Sequence, residues 1–125
     1  MPIESLNHFT LLTDDVEATV RFYGDVLDLH PGARPALAVP GVWLYADRDP
    51  LVHVVGGRPK SDLKPGVLDH MAFTAHGLAP TLERLRAHEV PHTVRQIPGL
   101  GTWQVFFADP NGAKIELDFD SNERA

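Results

Sequence analysis

The chain has no cysteine among its 125 residues. That excludes disulfides, thiolate-held metals and cysteine nucleophiles. Basic residues are scarce, with 11 Lys and Arg against 17 Asp and Glu and a formal net charge of −6. Nucleic acid and anionic membranes are therefore not expected as partners. No apolar run approaches the roughly 20 residues that cross a bilayer. The N-terminus lacks the basic and apolar regions of a secretory signal, so the expected location is cytoplasmic. What is present is ordinary for a globular chain: 43% hydrophobic and 22% charged residues,. The length suits one compact domain or two small intimate halves. The seven histidines stand out and invite a metal reading,.

The most legible stretch runs from Val105 to Phe119 and reads as a β-hairpin. Its turn is Asp109-Pro110-Asn111-Gly112, where Pro presets φ and Asn and Gly tolerate positive φ. The returning strand places Ala113, Ile115, Leu117 and Phe119 on one face, and Lys114, Glu116 and Asp118 on the other. Glu116 thus sits mid-strand, opposite the apolar side chains, where a carboxylate is either solvated or aimed into a polar site.

From the start, Ile3 to Leu12 reads as a strand with Leu6, His8, Thr10 and Leu12 on one face,. Asp14 followed by Glu17 resembles a capping box, and Val16, Val20, Tyr23 and Leu27 predict a helix over 15–28,. His30-Pro31-Gly32 is expected to end it. Strands are expected at Pro35–Val39, Val42–Ala46 and Leu51–Val55, with a turn at Arg48-Asp49-Pro50. Gly56 to Gly66 reads as a linker. The pattern then restarts. Leu68-Asp69-His70-Met71 aligns with Leu6-Asn7-His8-Phe9 at an offset of 62, and the helix positions follow at the same offset. Gly41-Val42-Trp43 aligns with Gly101-Thr102-Trp103, and Asp49-Pro50 with Asp109-Pro110, at an offset of 60. The chain is therefore read as α+β, a βαβββ module repeated: module 1 at about 3–57, a linker at about 58–65 and module 2 at about 66–120.

Each module offers a histidine in its first strand, His8 and His70, and a ligand-type residue in its last, His53 and Glu116. A lone strand histidine is more often a core or surface residue than a ligand. Four at repeat-equivalent positions favour a divalent ion such as Zn, Ni, Co, Mn or Fe. One carboxylate against a +2 ion leaves about one net positive charge, which suits an oxygen-bearing substrate at an open coordination position. His53 is read as a ligand, with an acid–base role beside the substrate as the other reading. His30, His88 and His92 fit a solvated role, and His76 is unassigned.

These residues resemble the vicinal oxygen chelate superfamily, which includes glyoxalase I, fosfomycin-resistance enzymes, extradiol dioxygenases and bleomycin-resistance proteins. The resemblance rests on Leu6-Asn7-His8-Phe9-Thr10, Phe22-Tyr23-x-Asp25-x-Leu27-x-Leu29, Asp69-His70-Met71-Ala72-Phe73 and the Phe107 to Leu117 hairpin. It implies paired βαβββ modules in a cupped, curved mixed sheet with helices outside, usually in a homodimer. It also implies a metal at His8, His53, His70 and Glu116, with Glu116 and His53 as the groups that move protons. The activity it implies first is glyoxalase I-like lyase or isomerase chemistry on a small molecule, through an enolate or enediolate. Such enzymes carry a carboxylate in each module, whereas here module 1 offers His53. An Fe(II) extradiol dioxygenase is the second reading, with His8, His70 and Glu116 as its triad. Phe106 stands where that family carries Tyr, and residues 97–99 lack its His. A non-catalytic drug binder is the third. Thr10, Trp103 and Phe106 are the candidate substrate contacts; Thr10 matches the position of a catalytic Thr in fosfomycin enzymes, and Trp43 and Trp103 are candidates to stack on a planar ligand or to pack in the core.

Overall fold

The structure, a computed structural model, describes residues 2, 4–66 and 68–125. Ile3 and Val67, at the expected starts of the two modules, lie outside the described residues. The chain divides into two compact units, Met1–Leu63 and Lys64–Ala125.

In the first unit, strand β1 (Phe9–Leu12) leads to helix α1 (Val16–Leu27), followed by β2 (His30–Pro31), β3 (Gly41–Ala46) and β4 (Asp49–Val55). The sheet order is β1-β4-β3-β2, parallel between β1 and β4 and antiparallel elsewhere. The second unit repeats this order with β5 (Met71–Thr74), α2 (Leu78–Ala87), β6 (His92–Gln96), β7 (Trp103–Ala108) and β8 (Lys114–Phe119), as β5-β8-β7-β6. Two βαβββ modules with mixed four-stranded sheets are thus present, as the repeat implies.

Helix α1 starts one residue later than its sequence signal. Asp15, not Asp14, is the N-cap, and its carboxylate accepts from Ala18 N at 3.0 Å. Thr13 fixes this choice, because its hydroxyl accepts from Asp15 N at 2.9 Å and meets the Thr19 hydroxyl at 3.0 Å. Tyr23 and Val26 bury the inner face. The helix stops before His30: Asp28 turns left-handed at φ 58° and its N–H bonds back to Gly24 O at 3.2 Å,. His30 and Pro31 form β2 rather than a terminator. The strand expected at Pro35–Val39 does not form, since those residues make no ladder. The expected turn at Arg48-Asp49-Pro50 lies one residue earlier, at Asp47-Arg48, and Asp49 and Pro50 open β4.

In the second unit the hairpin forms as read. Asp109 is buried, and its Oδ1 accepts from Asn111 N and Ala113 N, both at 2.8 Å. Gly112 holds φ 88°, which only glycine adopts without strain,. Ile115, Leu117 and Phe119 are at most 4% exposed and form the core with Val105, Leu78 and Leu85. Each such side chain contributes roughly 1.5–3 kcal/mol of apolar burial.

The strand registers correct one equivalence. Trp43 pairs with His53, and Phe106 pairs with Glu116. The counterpart of Trp43 is therefore Phe106, not Trp103. The Gly-x-Trp match at an offset of 60 does not follow the strand registers. Gly41 has its own local reason: a Cβ there would collide with the Val54 carbonyl oxygen on the paired strand.

Candidate functional site

Each unit gathers one pair of candidate ligands. In the first, the alternation of β1 and β4 puts His8, Thr10 and His53 on one sheet face, with Thr10 directly opposite His53. The His8 and His53 rings stack, their centroids 3.7 Å apart and their planes at 12°. Trp43 lies flat on the His53 ring at 4.0 Å. This stack of three rings fixes the imidazole plane of His53. Burial, then the neighbouring His8, hold its pKa below the usual 6.5; Arg34 adds to this, against an opposing hydrogen bond with the Pro50 backbone. His53 is thus disposed to be neutral, the form in which imidazole binds metal. Its Nε2 is buried and has no hydrogen-bond partner among the described residues.

In the second unit, His70 Nε2 lies 3.0 Å from Glu116 Oε1. Glu116 is 7% exposed, held mid-strand by the core residues on either side of it. Its other oxygen, Oε2, accepts from Gln104 Nε2 at 3.1 Å, and Gln104 Oε1 accepts from Arg95 Nε at 2.7 Å. Asp118 faces the same way, two residues on. Burial pushes its pKa up to about 6, helped by the hydrogen bond and the charge of Glu116. Phe106 stands edge-on to His70 at 6.2 Å, with Arg95 and Lys114 flanking its ring at 5.6 and 5.3 Å.

The two first-strand histidines share a device. The residue before each one accepts from its Nδ1: Asn7 Oδ1 at 2.7 Å from His8, and Asp69 Oδ2 at 2.8 Å from His70. With Nδ1 donating, Nε2 becomes the ligand nitrogen, as in many histidine metal sites. Asp69 is itself held below the usual carboxylate range, by His70 first and then by Lys114 at 3.3 Å.

The donor set fits a divalent ion. Two ligands bonded at about 2.1 Å and at right angles stand about 3 Å apart, and His70 Nε2 and Glu116 Oε1 have that spacing without an ion. The unpartnered Nε2 of His53 is a second free donor. Among the described residues no three ligand-type side chains gather within one cluster.

Of the expected substrate contacts, Thr10 and Phe106 lie on the ligand faces. Trp103 does not. It alternates with Val105 and Phe107, pairs with Phe119, and donates its indole N–H to Glu123 O at 2.9 Å. Trp103 is a core and tail anchor on the face opposite Glu116. The remaining histidines take ordinary roles: His30 is exposed beside Asp28, His88 caps α2, and His92 bonds to Val90 O. His76 is exposed in the loop after β5. Gln104 and Asp118, beside Glu116, carried no sequence motif of their own, whereas Asn7 and Trp43 lay in the repeated His and Trp motifs.

The model of the Glyoxalase/Bleomycin resistance protein/Dioxygenase superfamily matches residues 5–117. The chain belongs to that superfamily. Among curated members it is similar to Glyoxylase I 4 of Arabidopsis thaliana, 25% identical over 122 residues that make up 92% of this chain and 70% of that protein. Among solved members it is similar to the fosfomycin resistance protein FosX of Listeria monocytogenes, in complex with Mn(II) and 1S,2S-dihydroxypropylphosphonic acid. The TM-score is 0.77 at 18% identity, covering 96% of this chain and 95% of that one. A glyoxylase/bleomycin resistance protein/dioxygenase domain from Frankia gives 0.75 at 19% identity, covering 98% and 96%. At these identities the solved members establish the fold. No helix among the described residues is long and apolar enough to cross a membrane.

Proposed function

We propose that this superfamily member is a divalent-metal-dependent enzyme of the glyoxalase I-like kind, a lyase or isomerase acting on a small oxygen-bearing substrate. Its metal ligands are His8, His53, His70 and Glu116, one pair from each module. In this reading the protein is a cytoplasmic homodimer, in which His8 and His53 of one copy meet His70 and Glu116 of the other. The observation that carries the metal reading is the 3.0 Å approach of His70 Nε2 to Glu116 Oε1, with the far side of each group already fixed by Asp69 and Gln104. The similarity to a glyoxylase and the Mn(II) bound to FosX support it.

A bound ion would act as a Lewis acid on the substrate's oxygens. The chain's own residues do the rest. Gln104 and Asp69 orient the ligands. Trp43 and Phe106 present apolar faces that keep water from the substrate. Glu116, with Asp118 beside it, is placed to move a proton, and His53 is the second acid–base group. The test is metal analysis of purified protein after exposure to Zn, Ni, Mn and anaerobic Fe(II). About one ion per chain is expected from one four-residue set, lost in His70→Ala and Glu116→Ala. Protein that stays metal-free refutes the enzyme and leaves the drug binder. A metal-loaded monomer at micromolar concentration by light scattering refutes the exchanged pairing.

A further inference from the structure

The two candidate ligands of the first unit are held very differently. His53 sits in β4, an inner strand paired on both sides, with Thr10 opposite it on β1 and Trp43 opposite it on β3. Its ring hydrogen-bonds to the Pro50 backbone, and the Trp43 indole lies flat on one ring face at 4.0 Å. His8 is exposed and stands just before the paired residues of β1. Its Nδ1 contact is with the adjacent, exposed Asn7. The His8 ring covers the other face of His53, with centroids 3.7 Å apart and planes at 12°.

Two features set this stack against ligation of one ion by both rings. The first is direction. Rings in van der Waals contact keep their planes about 3.5 Å apart. The lone pair of a ligand nitrogen lies in its ring plane, and the bond to a divalent ion is about 2.1 Å. An ion in the plane of the His53 ring therefore stands about 3.5 Å from the plane of the His8 ring, beyond its reach. A tilt of 12° is too small to close that gap. The second feature is access. Nε2 of His53 is buried and has no hydrogen-bond partner among the described residues. No ion meets it until part of its cover moves. His8 is the exposed ring stacked against it, and it lies outside the strand ladder.

We propose that module 1 carries one fixed ligand and one swinging ligand. Trp43 clamps the His53 ring, and His8 leaves the stack, which opens Nε2 of His53 and lets both nitrogens turn to one ion. This rests on the four-ligand metal reading. Trp43 is in this sense a positioning residue, acting on the ion through His53, and His8 is a gate as well as a ligand.

The deciding experiment follows the histidine ring resonances of the ¹⁵N,¹³C-labelled full chain as Zn(II), a diamagnetic ion, is added. His8 and His53 are assigned by the signals missing from His8→Gln and His53→Gln. Before Zn(II), the ring protons of His8 should lie upfield, shielded by the His53 ring, and those of His53 should be shielded from both faces. With Zn(II), the His8 protons should move downfield toward those of exposed His76, while His53 keeps the shielding of Trp43. Nε2 of both rings should show the ¹⁵N shift of direct coordination. By calorimetry, Trp43→Leu should weaken Zn(II) about tenfold or more, the scale of a lost orienting partner, and Trp43→Phe, which keeps a flat ring, should restore most of it. Zn(II) bound while His8 stays shielded overturns the inference, as does Zn(II) bound without coordination by His53. Unchanged Zn(II) affinity in Trp43→Leu overturns the clamp. Protein that takes up no Zn(II) at all sinks the metal reading itself, a result distinct from uptake with the stack intact.

Discussion

Replacing Gln104 with leucine removes one side-chain amide and tests whether Glu116 is a prepared ligand. Gln104 is 8% exposed and bridges Arg95 to Glu116, with bonds of 2.7 and 3.1 Å. Leucine fills similar volume, so packing is largely kept while the donor to Glu116 Oε2 is lost. A hydrogen bond to a charged group contributes about 1.5–3 kcal/mol. Losing a partner that orients a metal ligand typically costs about 10–100-fold in metal affinity. The expected result is therefore a 10–100-fold weaker Mn(II) or Zn(II) affinity by calorimetry, with far-UV circular dichroism unchanged. The metal-free chain should lose about 1–3 kcal/mol in urea denaturation, because Glu116 keeps its burial without its donor. Arg95 is exposed and can rehydrate, so it adds little to that loss,. Metal affinity within threefold of wild type would refute the argument that Gln104 aims Glu116.

His53→Ala should reduce metal occupancy and change the metal-edge spectrum; unchanged coordination, alongside lost turnover of a catechol under Fe(II), would instead favour the dioxygenase with His8, His70 and Glu116 as its triad. Glu123→Ala should destabilise the chain by about 1–2 kcal/mol, because its carboxylate accepts from Gly77 N at 3.1 Å and Leu78 N at 2.7 Å where α2 has no cap of its own; faster amide exchange at Leu78 is the local readout. Asp118 has a folded pKa of about 6 against an ordinary 3.8. The folded state thus holds that proton more tightly, and the resulting stability is complete below pH about 3.8 and lost as pH rises through about 6,. In the metal-free chain, urea midpoints at pH 5 and 7.5 should differ more for wild type than for Asp118→Asn; an equal difference would refute the assignment.

The modules, the helices and the Asp109–Gly112 turn were legible because period and turn chemistry are local properties. So was the facing of Glu116, which alternation with Ile115 and Leu117 fixes. The first-module loop was not legible. Pro35–Val39 carries apolar residues that look like a strand, yet Leu37 and Val39 are 49% and 47% exposed. Arg34 and Val39 are instead linked across that loop by a side-chain to backbone bond, which no periodicity announces. Trp103 misled because its Gly-x-Trp context mimicked Trp43. Only strand pairing shows that the partner of Glu116 is Phe106. Asn7 and Asp69 did leave a signal, a polar residue before each repeated histidine, whose use becomes clear from the Nδ1 contacts.

The two modules share a scaffold but have diverged in charge at the same positions. Module 1 pairs a histidine oriented by a neutral amide, Asn7, with His53 under a tryptophan. Module 2 pairs a histidine oriented by a carboxylate, Asp69, with Glu116 and the neighbouring Asp118. Burial acts oppositely on these sets: it favours the neutral imidazole of His53 and raises the proton affinity of Asp118,. In the proposed enzyme the first set would therefore supply a metal with neutral donors,. The second would supply the negative charge and a nearby carboxyl able to hold a proton. Reactions that withdraw a proton beside an activated oxygen need both properties, and under the proposed function a duplicated sheet would provide them by changing a few side chains on one face while the core on the other face is preserved.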